Sequence, residues 1–456
     1  MTEVRNPRSA VRIAWFSPFP PVKTGVAAVS AGLVAALEAR GHAVDRYPDT
    51  AAHDFPWRHR QRPYDRVVYQ FGNSSHHDYA WPYALRYPGL TVLHDTRLHH
   101  ARAALLLREK RRDDYRRELA WSEPDLPPGA AELAVAGFDS RLYYDWPMVR
   151  SLVEASHLVA VHGEATRTEL VERLSSVRGP ASDVRGPIAE RLVAIRLGHG
   201  ELVTDERIAA ARTTLRARYG LPRDAIVFGV FGGLTPEKRL PQILEAFRAV
   251  RAYAPDARLL LGGAEASHFA LDAFRAADGV VVTGYLEDAE LTDHIAAVDV
   301  SLNLRWPTAR ETSGPWLRAL AAGTPTIVTD LLQLIDVPTL DPRTWQASTP
   351  DIGHRTSESD PVAIAIDIVD EDHSLRLAMR RLAQDAALRA SLGRTGRAYW
   401  QRHHSLEAMT DDYERLLHLA HPEHLAHPAH PAHLRPAGDE RLRALLAPFG
   451  IDSPIP

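Results

Sequence analysis

The chain has 456 residues, more than one ordinary core accommodates, so two domains are expected. A formal net charge of -4 offers no broad basic excess to neutralise a phosphate backbone, which argues against nucleic acid as a partner. The absence of cysteine excludes disulfides, thiolate nucleophiles and zinc–thiolate sites.

The opening MTEVRNPRSAVRIAWF lacks the long apolar core of a secretory signal. No apolar run approaches the ~20 residues needed to span a bilayer. The expectation is a cytoplasmic protein whose contact with a membrane is at most peripheral. VRIAWFS (11–17) is a short apolar run that leads into PFPPVKTG, a buried strand followed by a loop. VAAVSAGLVAALEARGH then places apolar residues at helical spacing and stops at Gly41. Apolar runs recur at RVVYQF (66–71), LTVLHD (90–95), HLVAVHG (157–163) and RLVAIRLG (191–198), with helical patterns between most of them. Such alternation specifies a parallel sheet with helices on both faces.

The pattern restarts after Gly200. LVTDERIAAARTTLRARY (202–219) reads as a connecting helix, and AIVFGVFGG (225–233) as a strand running into a glycine loop. LPQILEAFRAVRAY is a helix, and ARLLLGG, GVVVTGY, VDVSLNL and TPTIVTD are further strands. The predicted organisation is an α/β chain of two doubly wound, Rossmann-like domains, 1–199 and 200–392, hinged near 198–200. Helices at 393–420 follow, with SLEAMTDDYERLLHLA (405–420) amphipathic. Residues 421–456 form a His/Pro-rich low-complexity tail, read as a linker with a small docked helix at DERLRALLAPFGI.

Two open α/β domains in series leave a cleft, and ligands in such sheets bind beyond the carboxyl ends of the strands. In VFGVFGGLTPEKRL, Gly232 and Gly233 let backbone amides approach an anion, and Lys238 and Arg239 sit where a helix begins. Cations there oppose the helix dipole, which makes sense if they face a diphosphate. The plain alternative is a turn with a solvated basic pair. Neither G-x-G-x-x-G nor G-K-[ST] occurs there. In the first domain, the amides of Gly25, Val26 and Ala27 open a helix and are offered to a phosphate in the same way. TVLHDTRLHH puts His94 and Asp95 at a strand end, the histidine as a donor to a hydroxyl and the aspartate as its orienter. His162 ends another strand and reads as structural. RLHHARAALLLREKRRDDYRREL (97–119) reads as a basic helix, either solvated or facing an anionic lipid or phosphorylated acceptor. Residues 123–145 are expected to line or cap the acceptor side.

FGGLTPEKR, GVVVTGYLEDAEL and VDVSLNLRWPTARETSGPWLRALAAGTPTIVTD, with SPFPPVKTGVAAVSAGLVAALEARGHAV and HLVAVHGEATRTEL in the first half, resemble the retaining GT-B glycosyltransferases of family 4. The resemblance implies two Rossmann-like domains facing a cleft, with the last helix crossing back onto the first. It implies a hexosyltransferase that moves a sugar from a nucleoside diphosphate sugar to an unidentified acceptor, with retention and without a metal or other cofactor. Glu311 matches the glutamate that such enzymes present to the donor sugar. Ser313, Gly314 and Pro315 match the turn and helix start beside it. Lys238 and Arg239 would offset charge on the leaving diphosphate, with Arg305 pairing with Glu311 or a phosphate. Tyr285 and Leu286 would meet the base through their backbone, and His94 would stand near the reacting face. The leaving phosphate oxygen would take the acceptor's proton. Two positions depart from the pattern. Ala319 stands where many members carry a ribose-binding glutamate, and Gly233 where an arginine is usual. These departures keep open a non-catalytic sugar-nucleotide-binding or partner protein; a separate alternative is a nucleotide-sugar 2-epimerase of the same fold, which would need a carboxylate and histidine set that the sequence does not show.

Overall fold

The apolar runs of the first half become parallel strands because both faces of their sheet are covered. The computed structural model describes residues 10–138, 141–175, 187–266, 269–348 and 360–419, so the tail and its small helix lie outside the described residues. The first sheet comprises β1 (Arg12–Phe16), β2 (Ala43–Tyr47), β3 (Arg66–Phe71), β4 (Leu90–Leu93), β5 (Leu158–His162) and β6 (Leu192–Ile195). They lie in the order β2-β1-β3-β4-β5-β6, all parallel. β3, β4 and β5 are buried along their whole length, as the unbroken apolar runs require. β2, AVDRY, escapes a search for apolar runs. It is an edge strand with only Val44 and Tyr47 buried, and charged residues stand between them.

The second sheet comprises β7 (Val227–Phe231), β8 (Arg258–Gly262), β9 (Val280–Gly284), β10 (Val300–Asn303), β11 (Thr326–Thr329), β12 (Thr339–Leu340), β13 (Ala347–Ser348) and β14 (Ala363–Ile366). Its order is β13-β12-β14-β11-β10-β7-β8-β9, with only the β12–β13 pair antiparallel. The strand order reverses around β1 in the first sheet and between β7 and β10 in the second. Those are the topological switch points at which such sheets hold ligands. The loops after β7 and β10 are the glycine loop and the Leu304–Ser313 stretch, so the topology brings the two ionic segments side by side.

The last described helix, Leu406–Leu419, returns to the first domain. Its buried face, Met409, Tyr413, Leu416 and Leu417, packs on the Gly25–Ala39 helix and the first sheet, with Tyr413 stacked on Trp15 at 5.6 Å between centroids. Asp412 holds the Arg196 guanidinium with two 2.9 Å bonds. One hydrophobic cluster joins Trp15 and Val68 of the first domain, Leu317 and Leu320 of the second, and Trp400, Met409 and Tyr413. Each such large side chain contributes about 2 kcal/mol by burial, so the returning helix fastens the two domains together. The crossing is close. A Cβ on Gly198 would stand 2.6 Å from the Ser405 carbonyl oxygen, so only glycine fits there.

The basic stretch 97–119 is not one helix. It forms two, His99–Arg108 and Arg112–Ser122, broken at Lys110, whose φ is 60°. Several of its arginines are paired with carboxylates. Arg102 grips Glu118 through two 2.7 Å bonds, Arg116 grips Glu132, and Arg111 and Arg117 share Asp114. Among the described residues, no helix is long and apolar enough to cross a membrane.

Candidate functional site

Lys238 is the centre of the second domain's half of the cleft. It is buried, and its Nζ donates to the Phe231 carbonyl at 2.7 Å, with no carboxylate partner among the described residues. Burial, then the nearby Arg305 guanidinium, push its pKa down to about 7, while Glu311 pulls it up. A buried lysine beside a guanidinium is disfavoured as a cation, and a further anion beside it would restore its charge. The backbone beside them leaves room for one. Gly232 has φ 93°, and a Cβ there would stand 3.1 Å from Pro315 and 3.5 Å from Lys238 Nζ. Glycine thus lets the loop close on both the lysine and a helix start. That helix, Gly314–Ala322, is N-capped by Ser313, whose Oγ accepts from the Trp316 amide at 3.4 Å, and Pro315 lies in its first turn. The sequence reading brought Gly232, Lys238, Arg305, Ser313, Gly314 and Pro315 to one site, and the structure places them together. Gly233, also assigned there, is exposed, and its Cβ position has only Thr235 in contact.

Arg239 is a correction. Its φ of 59° turns the chain at the start of the Leu240–Arg251 helix, and its guanidinium points to Glu371, with Nε bonds of 2.9 and 3.0 Å and a further Nη2 bond. It fixes that helix to the Glu371–Gln384 helix and does not face the cleft. Adjacent residues diverge here because Lys238 closes a short helical turn and Arg239 begins the next element. Arg318, one residue before Ala319, is buried, donating to Thr292 at 2.8 Å, Asp288 at 2.5 Å and the His199 ring at 3.2 Å. Its neighbour Ala319 is fully buried in the cluster that holds Phe231 and Leu286.

Glu311 lies on the loop after β10 with both oxygens engaged. Oε1 meets Arg305 Nε at 2.7 Å, and Oε2 accepts from Thr308 Oγ1 at 2.9 Å. The Gln333 side-chain amide supports the loop through Thr308 Oγ1 and the Glu311 carbonyl. Arg310 stands 3.6 Å from Glu169 of the first domain. Glu311 is therefore a rigidly held carboxylate beside the cationic pocket.

The first domain presents His94 and Asp95 at the end of β4. His94 is half-buried, with Nε2 2.7 Å from Gln70 Oε1 and Nδ1 3.2 Å from His162 Nε2. The Tyr413 hydroxyl donates to the same Gln70 oxygen at 3.2 Å. A consistent proton arrangement runs from His162 Nε2 to His94 Nδ1, and from His94 Nε2 to Gln70. Burial and the neighbouring imidazoles push the His94 pKa well down, so the ring is neutral. Both of its nitrogens are committed within its own domain, which removes the donor role assigned to His94 and makes His162 its partner. Asp95, beside it, stands near enough to Glu311 and Arg305 of the second domain to feel their charges. Its Oδ2 accepts from the Asn73 amide at 2.7 Å. The next residue, Thr96, donates its amide to Ala309 of the opposite domain at 3.1 Å, two positions before Glu311.

Further contacts close the cleft over this centre. The Tyr144 hydroxyl donates to Glu237 of the second domain at 3.0 Å. Lys23 pairs with Glu287 at 2.9 Å and lies 4.1 Å over the exposed Tyr285 ring, while Leu286 is buried. Of the three amides expected to meet a phosphate at the Gly25–Ala39 helix, that of Ala27 is taken by Thr24 Oγ1 at 3.1 Å, leaving those of Gly25 and Val26. Among the described residues, no group of three or more His, Asp or Glu side chains is arranged to hold a metal ion. Gln70, Thr308, Glu237 and Tyr144 were not singled out from the sequence, because none carries a local signal. Each matters through a partner at least three residues away, and mostly in another element.

Residues 225–339, about a quarter of the chain, match the family described as glycosyl transferases group 1. That stretch runs from β7 to β12 and holds Lys238, Arg305 and Glu311. No curated protein matches the chain. Several solved structures share its fold. The catalytic domain of starch synthase IV from Arabidopsis thaliana, bound to ADP and acarbose, aligns at 13% identity with a TM-score of 0.62, over 90% of this chain and 99% of that one. Sucrose-phosphate synthase from Thermosynechococcus elongatus aligns at 16% identity and TM-score 0.57, over 90% and 98%. The E. coli protein described as trehalose-6-phosphate, bound with UDP-2-fluoro glucose, aligns at 12% identity and TM-score 0.54, over 89% and 98%. The fold is GT-B, two Rossmann-like domains facing a cleft.

Proposed function

We propose that this protein is a glycosyltransferase that moves a hexose from a nucleoside diphosphate sugar, with retention and without a metal, to an acceptor held by the first domain. The observation that carries the reading is Lys238. It is a buried cation with no carboxylate of its own, set beside Arg305, a glycine loop and the start of the Gly314–Ala322 helix. A diphosphate supplies the missing negative charge. As the glycosidic bond breaks, charge grows on the leaving oxygen, and Lys238, Arg305 and the helix amides stabilise it without reorganisation. Glu311, fixed by Arg305 and Thr308, is placed to accept hydrogen bonds from the sugar hydroxyls and to favour positive charge at the anomeric carbon. Tyr285 and Leu286 border the base side, and Gly25 and Val26 approach from the first domain. The match of residues 225–339 to group 1 glycosyl transferases supports this assignment. So do the relatives of the same fold solved with ADP and with UDP-2-fluoro glucose. A cytoplasmic role in glycan biosynthesis, family 4 membership and a membrane contact that is at most peripheral belong to the same reading.

The test is a calorimetric panel of UDP, GDP, ADP and TDP and their glucose conjugates, followed by turnover with and without EDTA. Binding of one diphosphate, its loss in Lys238→Ala, and EDTA-resistant release of sugar with the donor's anomeric configuration are expected. Absence of binding to every member overturns the reading. One observation favours a second reading, a binding protein without turnover: Ala319 is sealed in the core and Arg318 is locked on Asp288 and Thr292, so no carboxylate stands there for a ribose. Tight donor binding with no hydrolysis or transfer would decide for it.

A further inference from the structure

The chain that joins the two domains runs against the helix start of the proposed donor site. After β6 it passes through Gly198, His199 and Gly200, and its main chain is fixed there. The His199 amide donates to the His404 carbonyl at 3.2 Å, and the His199 carbonyl accepts from Trp400 Nε1 at 2.8 Å. Gly200 has φ 88°, and a Cβ on it would stand 3.2 Å from the Arg318 Cα, so the backbone lies on the Gly314–Ala322 helix. The His199 ring is pressed on the first residue of that helix. A Cβ on Gly314 would stand 3.0 Å from both Cδ2 and Nε2 of the imidazole, so a side chain there would push the ring away.

A neighbour decides which ring nitrogen carries the proton. Arg318 Nε stands 3.2 Å from His199 Nε2. A guanidinium can only donate, so Nε2 presents its lone pair and the proton sits on Nδ1. Arg318 is buried and held in place by its bonds to Thr292 at 2.8 Å and Asp288 at 2.5 Å. Burial first, then the Arg318 charge, push the His199 pKa down to about 3, against the pull of Asp288. The imidazole is therefore neutral and locked in one tautomer. Its Nδ1–H has no hydrogen-bond partner among the described residues and is not sealed from solvent, the residue being half-buried. His94 at the end of β4 is close enough that its pKa is lowered by burial and then by the imidazoles of His162, His77 and His199. The His199 ring thus stands at the floor of the cleft, between the helix start and the relay of the first domain.

We propose that His199 is a donor-binding residue, presenting Nδ1–H as a fixed neutral donor to an oxygen of the diphosphate at the start of the Gly314–Ala322 helix. The inference rests on the transferase reading above. It gives Gly314 and Arg318 a joint task, the glycine making room for the ring and the arginine setting its tautomer. A neutral donor suits the place. Lys238 and Arg305 already supply positive charge, and a third cation beside them would be repelled. An N–H held in one orientation adds direction without that repulsion and needs no reorganisation when the anion arrives.

The test separates the two edges of the ring. In His199→Asn the amide nitrogen takes the place of Nδ1, whereas in His199→Gln the amide oxygen takes the place of Nε2. Calorimetry on the full chain, with the tightest-binding of UDP, GDP, ADP and TDP, compares these with wild type and His199→Phe, each checked for folding by its melting temperature. His199→Phe is expected to weaken binding about tenfold, the scale of one hydrogen bond to a charged acceptor. His199→Asn should stay within about threefold of wild type, and His199→Gln should lose as much as His199→Phe. A crystal structure of the wild type with the same diphosphate reads the contact without a substitution, and Nδ1 is expected about 3 Å from a phosphate oxygen. Wild-type affinity in His199→Phe or in His199→Gln overturns the proposal, reducing His199 to a support for Arg318, and leaves the transferase reading intact. A folded His199→Asn that binds no better than His199→Phe overturns it too. So does a ring beyond hydrogen-bond reach of the bound diphosphate, which decides the matter where the variants do not fold. If the wild type binds none of the four diphosphates, the transferase reading falls and this inference with it.

Discussion

The two sheets end on the same cleft but furnish it in opposite ways. The second sheet offers glycine, cations and a helix start, in Gly232, Lys238, Arg305 and Ser313–Pro315, with one carboxylate locked into the set. The first offers a neutral relay, Tyr413–Gln70–His94–His162, and beside it a carboxylate, Asp95, held by the Asn73 amide. On the proposed function, the second side would hold a strong anion and the first an uncharged hydroxyl. An anion site needs backbone amides and fixed cations, which a loop and a helix start supply locally. A site for a hydroxyl needs side chains poised near neutrality, which only burial among other elements can tune.

The contrast breaks most severely if the held carboxylate is neutralised. Glu311→Gln should lose about 10³-fold in turnover with little change in melting temperature, as measured by donor hydrolysis beside thermal unfolding. Full activity in that variant would remove Glu311 from the site. Next comes the cation. Lys238→Met should weaken diphosphate binding by about 10²-fold, the scale of one buried charge-assisted hydrogen bond. Its stability should not fall at pH 7. The folded pKa of Lys238 lies below its unfolded value, so the unfolded chain binds more protons between about pH 7 and the usual lysine range. The lysine therefore contributes destabilisation that is relieved as pH rises through that window.

A smaller effect separates neighbours. Arg239→Met should cost about 2 kcal/mol of unfolding free energy, because Glu371 is left buried without its partner, yet leave diphosphate affinity within about twofold. Urea unfolding and calorimetry on Arg239→Met and Lys238→Met should give opposite patterns, and the same pattern in both would erase the distinction. Smallest of all, Tyr144→Phe removes one hydrogen bond that closes the cleft, and a rise of about threefold in KM with kcat nearly unchanged is expected.

This asymmetry also explains what could be read from the sequence. The second domain's apolar runs, its glycine loop and the Glu311 stretch lie within contiguous segments, and the structure assembles them as their order suggested. Arg239 was misassigned because a basic pair in sequence was treated as a pair in space, and a left-handed turn at Arg239 sends the second cation to Glu371. β2 and β14 were missed because AVDRY is interrupted by charge, and AIAI is too short to announce itself. In the first domain, His94 is held by Gln70 and His162, where the sequence had offered Asp95 as its orienter. The residue that occupies the histidine is His162, from a neighbouring strand, and the Asp95 pKa is raised first by burial and then by the charge of Glu311, 216 positions away and in the other domain.

The measurement that bears most directly on the central claim is the proton count of diphosphate binding. The tightest-binding member of UDP, GDP, ADP and TDP would be titrated calorimetrically in two buffers of different ionisation enthalpy, at pH 6 and pH 8. Lys238 is largely neutral at pH 8 in the free protein and must charge when an anion sits beside it. Uptake approaching one proton at pH 8, little at pH 6, and none at either pH in Lys238→Met are expected. Equal affinity and equal proton count in wild type and Lys238→Met would contradict the account, because the diphosphate would then bind somewhere other than the pocket that Lys238 and Arg305 define.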